Sequence, residues 1–312
     1  MNGSQAMVKT LLAGSVDVCF ANPGTSEMHF VAALDQATEM RCVLGLFEGV
    51  VTGAADGYYR MAGKPAATLL HLGPGLGNGL ANLHNARKAH SGIVNVIGQH
   101  ALDHIHNDAP LNSDAEGVAR PMSNWVRTIT SATQAPMDTA EAISQAKSAP
   151  GRIASLILPA NCAWEEADPG HYDFDAARPP AAVLSETVDA VAALLQKPDT
   201  AKRVVLLLGG TALFEQHTWL AGQIAAKTGC QVLSEPRSPR LQRGRGRVNI
   251  KPIPFAVDAA VQTLKEADHL VLIGSTTPVA FFAYPDKPRL TLPTDCTVHT
   301  MATPGHDLLA SL

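Results

Sequence analysis

Short, nearly unbroken apolar runs recur along the chain, and each is followed by a longer stretch with helical periodicity. In the first half the runs are VDVCF (16–20), RCVLGL (41–46), AATLLH (66–71), GIVNVIG (92–98) and RIASLIL (152–158). Amphipathic stretches lie at 4–13, 26–38, 49–62, 77–89 and 139–148. Strands that are apolar throughout are buried on both faces, and parallel neighbours need a long crossover, usually a helix. The alternation therefore predicts a parallel sheet covered by helices on both sides. The second half repeats it with RVVLLLGG (203–210), CQVLS (230–234), HLVLIG (269–274) and TVHTM (297–301), and helices at about 185–196, 213–228 and 256–266. Between the halves, EEADPGHYDFDAARPPAA (165–182) is acidic, proline-rich and without periodicity, as expected of a surface linker. The expected fold class is α/β: two doubly wound parallel-sheet domains, 1–165 and 183–312, joined by a linker at 166–182. The closing HDLLASL reads as a chain cut at a domain end.

With 312 residues, 46% of them hydrophobic and 17% charged, the chain can bury a sizeable core. A net charge of −4 argues against nucleic acid and anionic membranes as partners. No apolar run approaches the roughly 18 residues of a membrane span. The opening MNGSQAMVKTLLAG lacks the features of a secretory signal. Cys19, Cys42, Cys162, Cys230 and Cys296 are scattered without a CxxC pair, so reduced thiols in a cytoplasmic protein are expected. Asp103, His104, His106 and Asp108 lack the helical spacing of a metal site, and none is assigned. The five arginines from Arg237 to Arg247 suit either phosphate binding or, more readily, a solvated loop or subunit contact.

Three segments could carry chemistry. In LGLFEGVVTGAADGYYR (44–60), Glu48 stands where a strand ends and a helix begins, over the inward stripe of Val51, Ala54, Ala55, Tyr58 and Ala62. Open α/β sheets bind ligands at this end of their strands. A dry site would favour the neutral acid and make Glu48 a proton donor or relay; an ordinary first-turn glutamate would face water. In ANPGTSEMHF (21–30), Asn22-Pro23-Gly24 forms a turn, and Thr25 or Ser26 is expected either to cap the next helix or to present a hydroxyl to the cleft. In HLGPGLGNG (71–79), glycines at 73, 75, 77 and 79 miss the GxGxxG spacing and no Lys-Ser/Thr follows. The expectation there is a loop able to approach a ligand or another backbone closely, with His71 at its start either packed or facing the cleft.

NPG(T/S)xE after the first strand, a glutamate after the second followed by AADGYYR, and a glycine-rich segment with GN after the third together resemble the pyrimidine-binding half of thiamine diphosphate enzymes of the acetolactate synthase and benzoylformate decarboxylase type. The resemblance extends over the whole chain, with 183–312 similar to the family's central domain, which holds FAD in some relatives and nothing in others. It implies that Glu48 hydrogen-bonds the cofactor's pyrimidine ring and activates it, with His71 and Thr25 facing the substrate and Pro23, Gly24, Gly75 and Asn78 beside the cofactor. It also implies a 2-oxo acid substrate and a homodimer or homotetramer. The family's GDG and paired asparagines, which hold Mg²⁺ and the diphosphate, do not occur in this sequence. The chain is then a fragment or one part of a split enzyme, inactive alone, with thiamine diphosphate and Mg²⁺ both needing a diphosphate-binding domain. The alternatives are a noncatalytic nucleotide-binding or regulatory subunit, and a dehydrogenase, which the failed glycine spacing disfavours.

Overall fold

The described residues form two parallel sheets, of six and five strands. A computed structural model describes residues 1–168, 174 and 177–312 and divides them into two units, Met1–Pro179 and Pro180–Leu312. The remaining residues of the expected linker, 169–173, 175 and 176, lie outside the described residues. The flanking stretches are tied down: Ala167 donates its N–H to Met1 O, and Arg178 N–H to Ser148 Oγ.

In the first unit the elements run α1 (Gly3–Ala13), β1 (Val18–Asn22), α2 (Met28–Gln36), β2 (Arg41–Leu44), α3 (Glu48–Ala62), β3 (Ala66–Leu70), α4 (Leu72–Lys88), β4 (Ile93–Gln99), α5 (Ala115–Ala119), β5 (Trp125–Thr128), α6 (Ala135–Lys147), β6 (Ile153–Pro159) and α7 (Ala160–Trp164). The strand order is β2-β1-β3-β4-β6-β5, every pair parallel. β3, β4 and β6 are buried at every residue, as their apolar runs require. Along β4 the side chains alternate between two cores: Val94 and Val96 join Met7, Leu11, Phe30 and Leu156, whereas Ile93 and Ile97 join Val51, Leu70, Leu76 and Leu83. A buried polar row crosses the three central strands: Thr68 donates to Asn95 Oδ1 at 2.8 Å, and Asn95 Nδ2 to Ser155 Oγ at 2.9 Å.

The second unit contains α8 (Ser185–Leu195), α9 (Pro198–Ala201), β7 (Val204–Leu208), α10 (Glu215–Thr228), β8 (Gln231–Ser234), β9 (Lys251–Pro252), α11 (Val257–Leu264), β10 (His269–Ile273) and β11 (Thr297–Ala302), with strand order β11-β10-β7-β8-β9. Its arginine-rich loop is held within the unit: Arg237 lies over the Phe281 ring, Arg240 over Phe214, and Arg247 pairs with Glu215.

Two expectations change. The glycine-rich stretch after β3 is not a loop, because α4 begins at Leu72 and takes in Gly73, Gly75, Gly77 and Gly79. Each interior glycine costs a helix about 1 kcal/mol relative to alanine. Here they let α3 and α4 approach: a Cβ at Gly79 would stand 2.9 Å from Thr52 Cγ2, and one at Gly53 2.9 Å from Asn82 Nδ2. The contact is closed by Thr52 Oγ1 donating to Gly79 O at 3.0 Å and Asn82 Nδ2 to Gly49 O at 2.7 Å. The second change concerns the turn before α2, where neither Thr25 nor Ser26 is the cap. Gly24 is, its N–H taken by the Glu27 carboxylate at 2.7 Å.

Candidate active site

The first sheet reverses its winding between β1 and β3, and a crevice opens beyond the carboxyl ends of such a pair. β1 delivers Asn22, Pro23 and Gly24 there, and β3 delivers His71. Asn22 Nδ2 donates to Gly45 O at 2.7 Å, tying the turn to the segment after β2 that leads into Glu48.

Glu48 is the first residue of α3 and only 6% exposed. Its Oε2 accepts from Asn78 Nδ2 at 3.0 Å. Its Oε1 lies against Gly75, where a Cβ would stand 2.7 Å from it and 3.2 Å from His71 Cβ. Among the described residues Oε1 has no hydrogen-bond partner. Gly75 thus brings Glu48 and His71 together, and leaves on Glu48 an acceptor oxygen free for a ligand's N–H.

His71 is fixed from the other side. A Cβ at Gly24 would stand 2.2 Å from its ring, so only glycine lets the imidazole lie there. The ring's Nδ1 is 2.8 Å from Glu27 Oε2, and Ser26 Oγ donates to Glu27 Oε1 at 2.7 Å. Leu72, the next residue, has φ of 51°, a conformation costly for a bulky side chain, and is buried. The structure brings together Glu48, His71, Gly24, Gly75 and Asn78. It leaves Thr25 exposed at the head of a 3₁₀ turn, and it is the neighbouring Ser26 hydroxyl, 3.4 Å from Nδ1, that approaches His71. Sequence reasoning missed Glu27 and Gly98 as site residues. The signal for Glu27 was its place three residues after Gly24, the spacing of a reciprocal cap.

The AADGYYR segment serves the fold. Asp56 is buried, pairs with Arg60 at 2.6 Å and accepts from Ser91 Oγ at 2.5 Å. Among the described residues no three His, Cys, Asp or Glu side chains cluster as a metal site. No helix among them is long and apolar enough to cross a membrane.

Residues 1–136 match the family model "Thiamine pyrophosphate enzyme, N-terminal TPP binding domain". The whole chain is 48% identical to IlvX of Mycobacterium tuberculosis, named for the acetolactate synthase large subunit, and covers 60% of that protein. It is 29% identical to the benzoylformate decarboxylase of Pseudomonas aeruginosa over 81% of this chain and 48% of that one. The chain is homologous to these proteins, and its residues 1–136 carry the matched thiamine pyrophosphate-binding domain. It corresponds to their N-terminal part and spans only part of the length of these relatives. A solved thiamine diphosphate-dependent 4-hydroxybenzoylformate decarboxylase of Rhodococcus jostii RHA1 superposes with a TM-score of 0.79 at 24% identity, over 99% of this chain and 61% of that one, a likeness of fold.

The residues of the crevice fit thiamine diphosphate: a buried carboxyl keeps one acceptor oxygen without a hydrogen-bond partner among the described residues, and glycines admit the carboxyl and the imidazole side by side. The second unit does not fit the diphosphate of FAD as well. At its own reversal point, between β7 and β10, the Glu235 carboxyl fills the room beside Gly209, where a Cβ would stand 2.7 Å from Oε1, and it accepts the Gly210 N–H. A carboxylate in that turn repels phosphate. Burial pushes the Glu235 pKa up to about 7.

Proposed function

We propose that this chain is the cofactor-activating portion of a thiamine diphosphate-dependent 2-oxo acid decarboxylase or carboligase. The observation that carries the reading is the Glu48 carboxyl, buried, held by Asn78 through one oxygen and open through the other. Thiamine diphosphate, when bound, supplies the electron sink for cleavage next to a carbonyl. The chain's own residues do the rest. Glu48 accepts a ring N–H and exchanges a proton there, Gly24 and Gly75 let His71 and Glu48 take their places, and His71 handles a proton on the substrate side. Mg²⁺ and the diphosphate are held by residues outside this sequence. Leu44, Leu46, Phe47 and Val50 are exposed around the entrance to α3, with Leu46 at 90%, and a second copy of the chain is the occupant this reading gives them.

The test is to titrate thiamine diphosphate and Mg²⁺ into the chain with and without a separately supplied diphosphate-binding domain. Restored decarboxylation of a 2-oxo acid, reduced at least about 10²-fold in Glu48→Gln, supports the reading. A second reading, a noncatalytic nucleotide-binding subunit, draws on the strand order of the second sheet. The Glu235 carboxyl weighs against it. Tight nucleotide binding without restored turnover would favour that second reading.

A further inference from the structure

Glu27 is buried, 2% exposed, and lies between elements rather than at the mouth of the crevice. Its carboxyl enters a hole at the end of β4: a Cβ at Gly98 would stand 1.7 Å from Oε1 and 2.6 Å from the carboxyl carbon. Three polar groups surround it. Gly24 N–H reaches Oε2 at 2.7 Å, Ser26 O–H reaches Oε1 at 2.7 Å, and His71 Nδ1 is 2.8 Å from Oε2. A backbone amide has only a proton to offer, and the Ser26 hydroxyl points its own at Oε1. As a carboxylate Glu27 has no proton to give and accepts at both oxygens, so His71 supplies the proton in the third contact. The imidazole therefore carries its proton on Nδ1, and Nε2 holds the lone pair. His71 is a quarter exposed, and Nε2 has no partner among the described residues.

We infer that Glu27 is a positioning residue: with Gly98 making room for its carboxyl, it locks His71 in the Nδ1–H tautomer and turns a basic Nε2 towards the crevice. His71 then takes one proton at Nε2 from a hydroxyl or water in the crevice. The resulting imidazolium keeps its Nδ1–H on the Glu27 carboxylate, and the Nε2 proton is later returned. In the opposite tautomer Nε2 would already carry a hydrogen and could accept nothing. This extends the function proposed above, but the tautomer is a property of this chain and can be read without cofactor or turnover.

The experiment is long-range ¹H–¹⁵N correlation NMR on ¹⁵N-histidine-labelled protein at alkaline pH. The chain has 12 histidines, and the His71 signal is assigned by its loss in His71→Gln. The expected result is a protonated Nδ1 and a pyridine-like Nε2. In Glu27→Gln the Gly24 N–H keeps the carbonyl oxygen at the Oε2 place, the NH₂ falls to the Ser26 hydroxyl, and Nδ1–H should be retained; in Glu27→Ala the Nδ1–H loses its acceptor and the ring should shift towards the Nε2–H tautomer that free imidazole prefers. Gly98→Ala should disturb the Nδ1–H preference by displacing the carboxyl. A wild-type ring protonated on Nε2, or an Nδ1–H preference undiminished in a folded Glu27→Ala protein, overturns the inference. The wild-type spectrum decides even if the variants do not fold. In the holoenzyme, Glu27→Ala should lower kcat by about 10²-fold with a smaller change in KM and should alter the pH profile, with Glu27→Gln the milder of the two. Nδ1–H in the spectrum with no effect of His71→Gln on turnover would leave the tautomer standing and remove His71 from the proposed chemistry.

Discussion

At the scale of single residues, the crevice is shaped by atoms that are missing. His71 lies where a Gly24 Cβ would be, and Glu48 lies beside the equivalent point on Gly75. Gly24→Ala should force the imidazole off Glu27, cost about 1–3 kcal/mol in urea denaturation and depress turnover in the assembled enzyme. Gly75→Ala presses on both Glu48 and His71, so it should impair cofactor binding, read by titration, more than Asn78→Ala, which removes one hydrogen bond. Glu48 could be picked out of the sequence because a carboxyl at the end of an apolar strand and the start of a helix is costly unless it has a task. Thr25 and Ser26 could not be ranked that way. Which of two adjacent hydroxyls faces a histidine from a distant strand depends on a turn whose cap is a backbone amide and a carboxylate, and neither residue type announces that.

At the scale of elements, strands with an apolar run were legible even at sheet edges, although β2, expected buried, is largely exposed, and strands without such a run were not. β3, β4 and β6 stand within a residue or so of their expected bounds. β5, at one edge of the first sheet and partly exposed along its length, reads WVRT and gives no apolar run to see. β9, two residues long, gives none either. The start of α4 was hidden because glycine punctuates helices by propensity, and here close packing on α3 overrides that. The Thr68–Asn95–Ser155 row spans β3, β4 and β6, and Asn95→Ala would leave polar neighbours buried without their partner. A loss of about 1–3 kcal/mol on denaturation is expected, with far less for a double change of Asn95 and Thr68 to apolar residues. At the end of β8, Glu235 binds its proton more tightly in the folded chain than in the unfolded one, where the ordinary value is about 4.5. Its effect is absent below that value. Stability should fall as pH rises towards about 7 and level off above it, by at most about 3 kcal/mol. Glu235→Gln should flatten that slope in urea midpoints measured from acid to mildly alkaline pH.

At the scale of the whole molecule, each unit has its own sheet and its own buried clusters, and the proposed chemistry belongs to the first. The exposed Leu44, Leu46, Phe47 and Val50 surround the helix start that carries Glu48, so association through them would close the crevice to water. Leu46→Asp should shift the sedimentation profile towards monomer and lower turnover, with the thermal midpoint of the isolated chain little changed. Turnover retained by a monomer would separate the crevice from this surface. The packing of α3 on α4 also bears on how the protein is to be mapped. A survey that trims each side chain in turn would pass over Gly24, Gly75, Gly79 and Gly98, because there is nothing to trim. The outline of the cleft will emerge from libraries that append one carbon at a time, and variants silent under truncation should then prove the least tolerant.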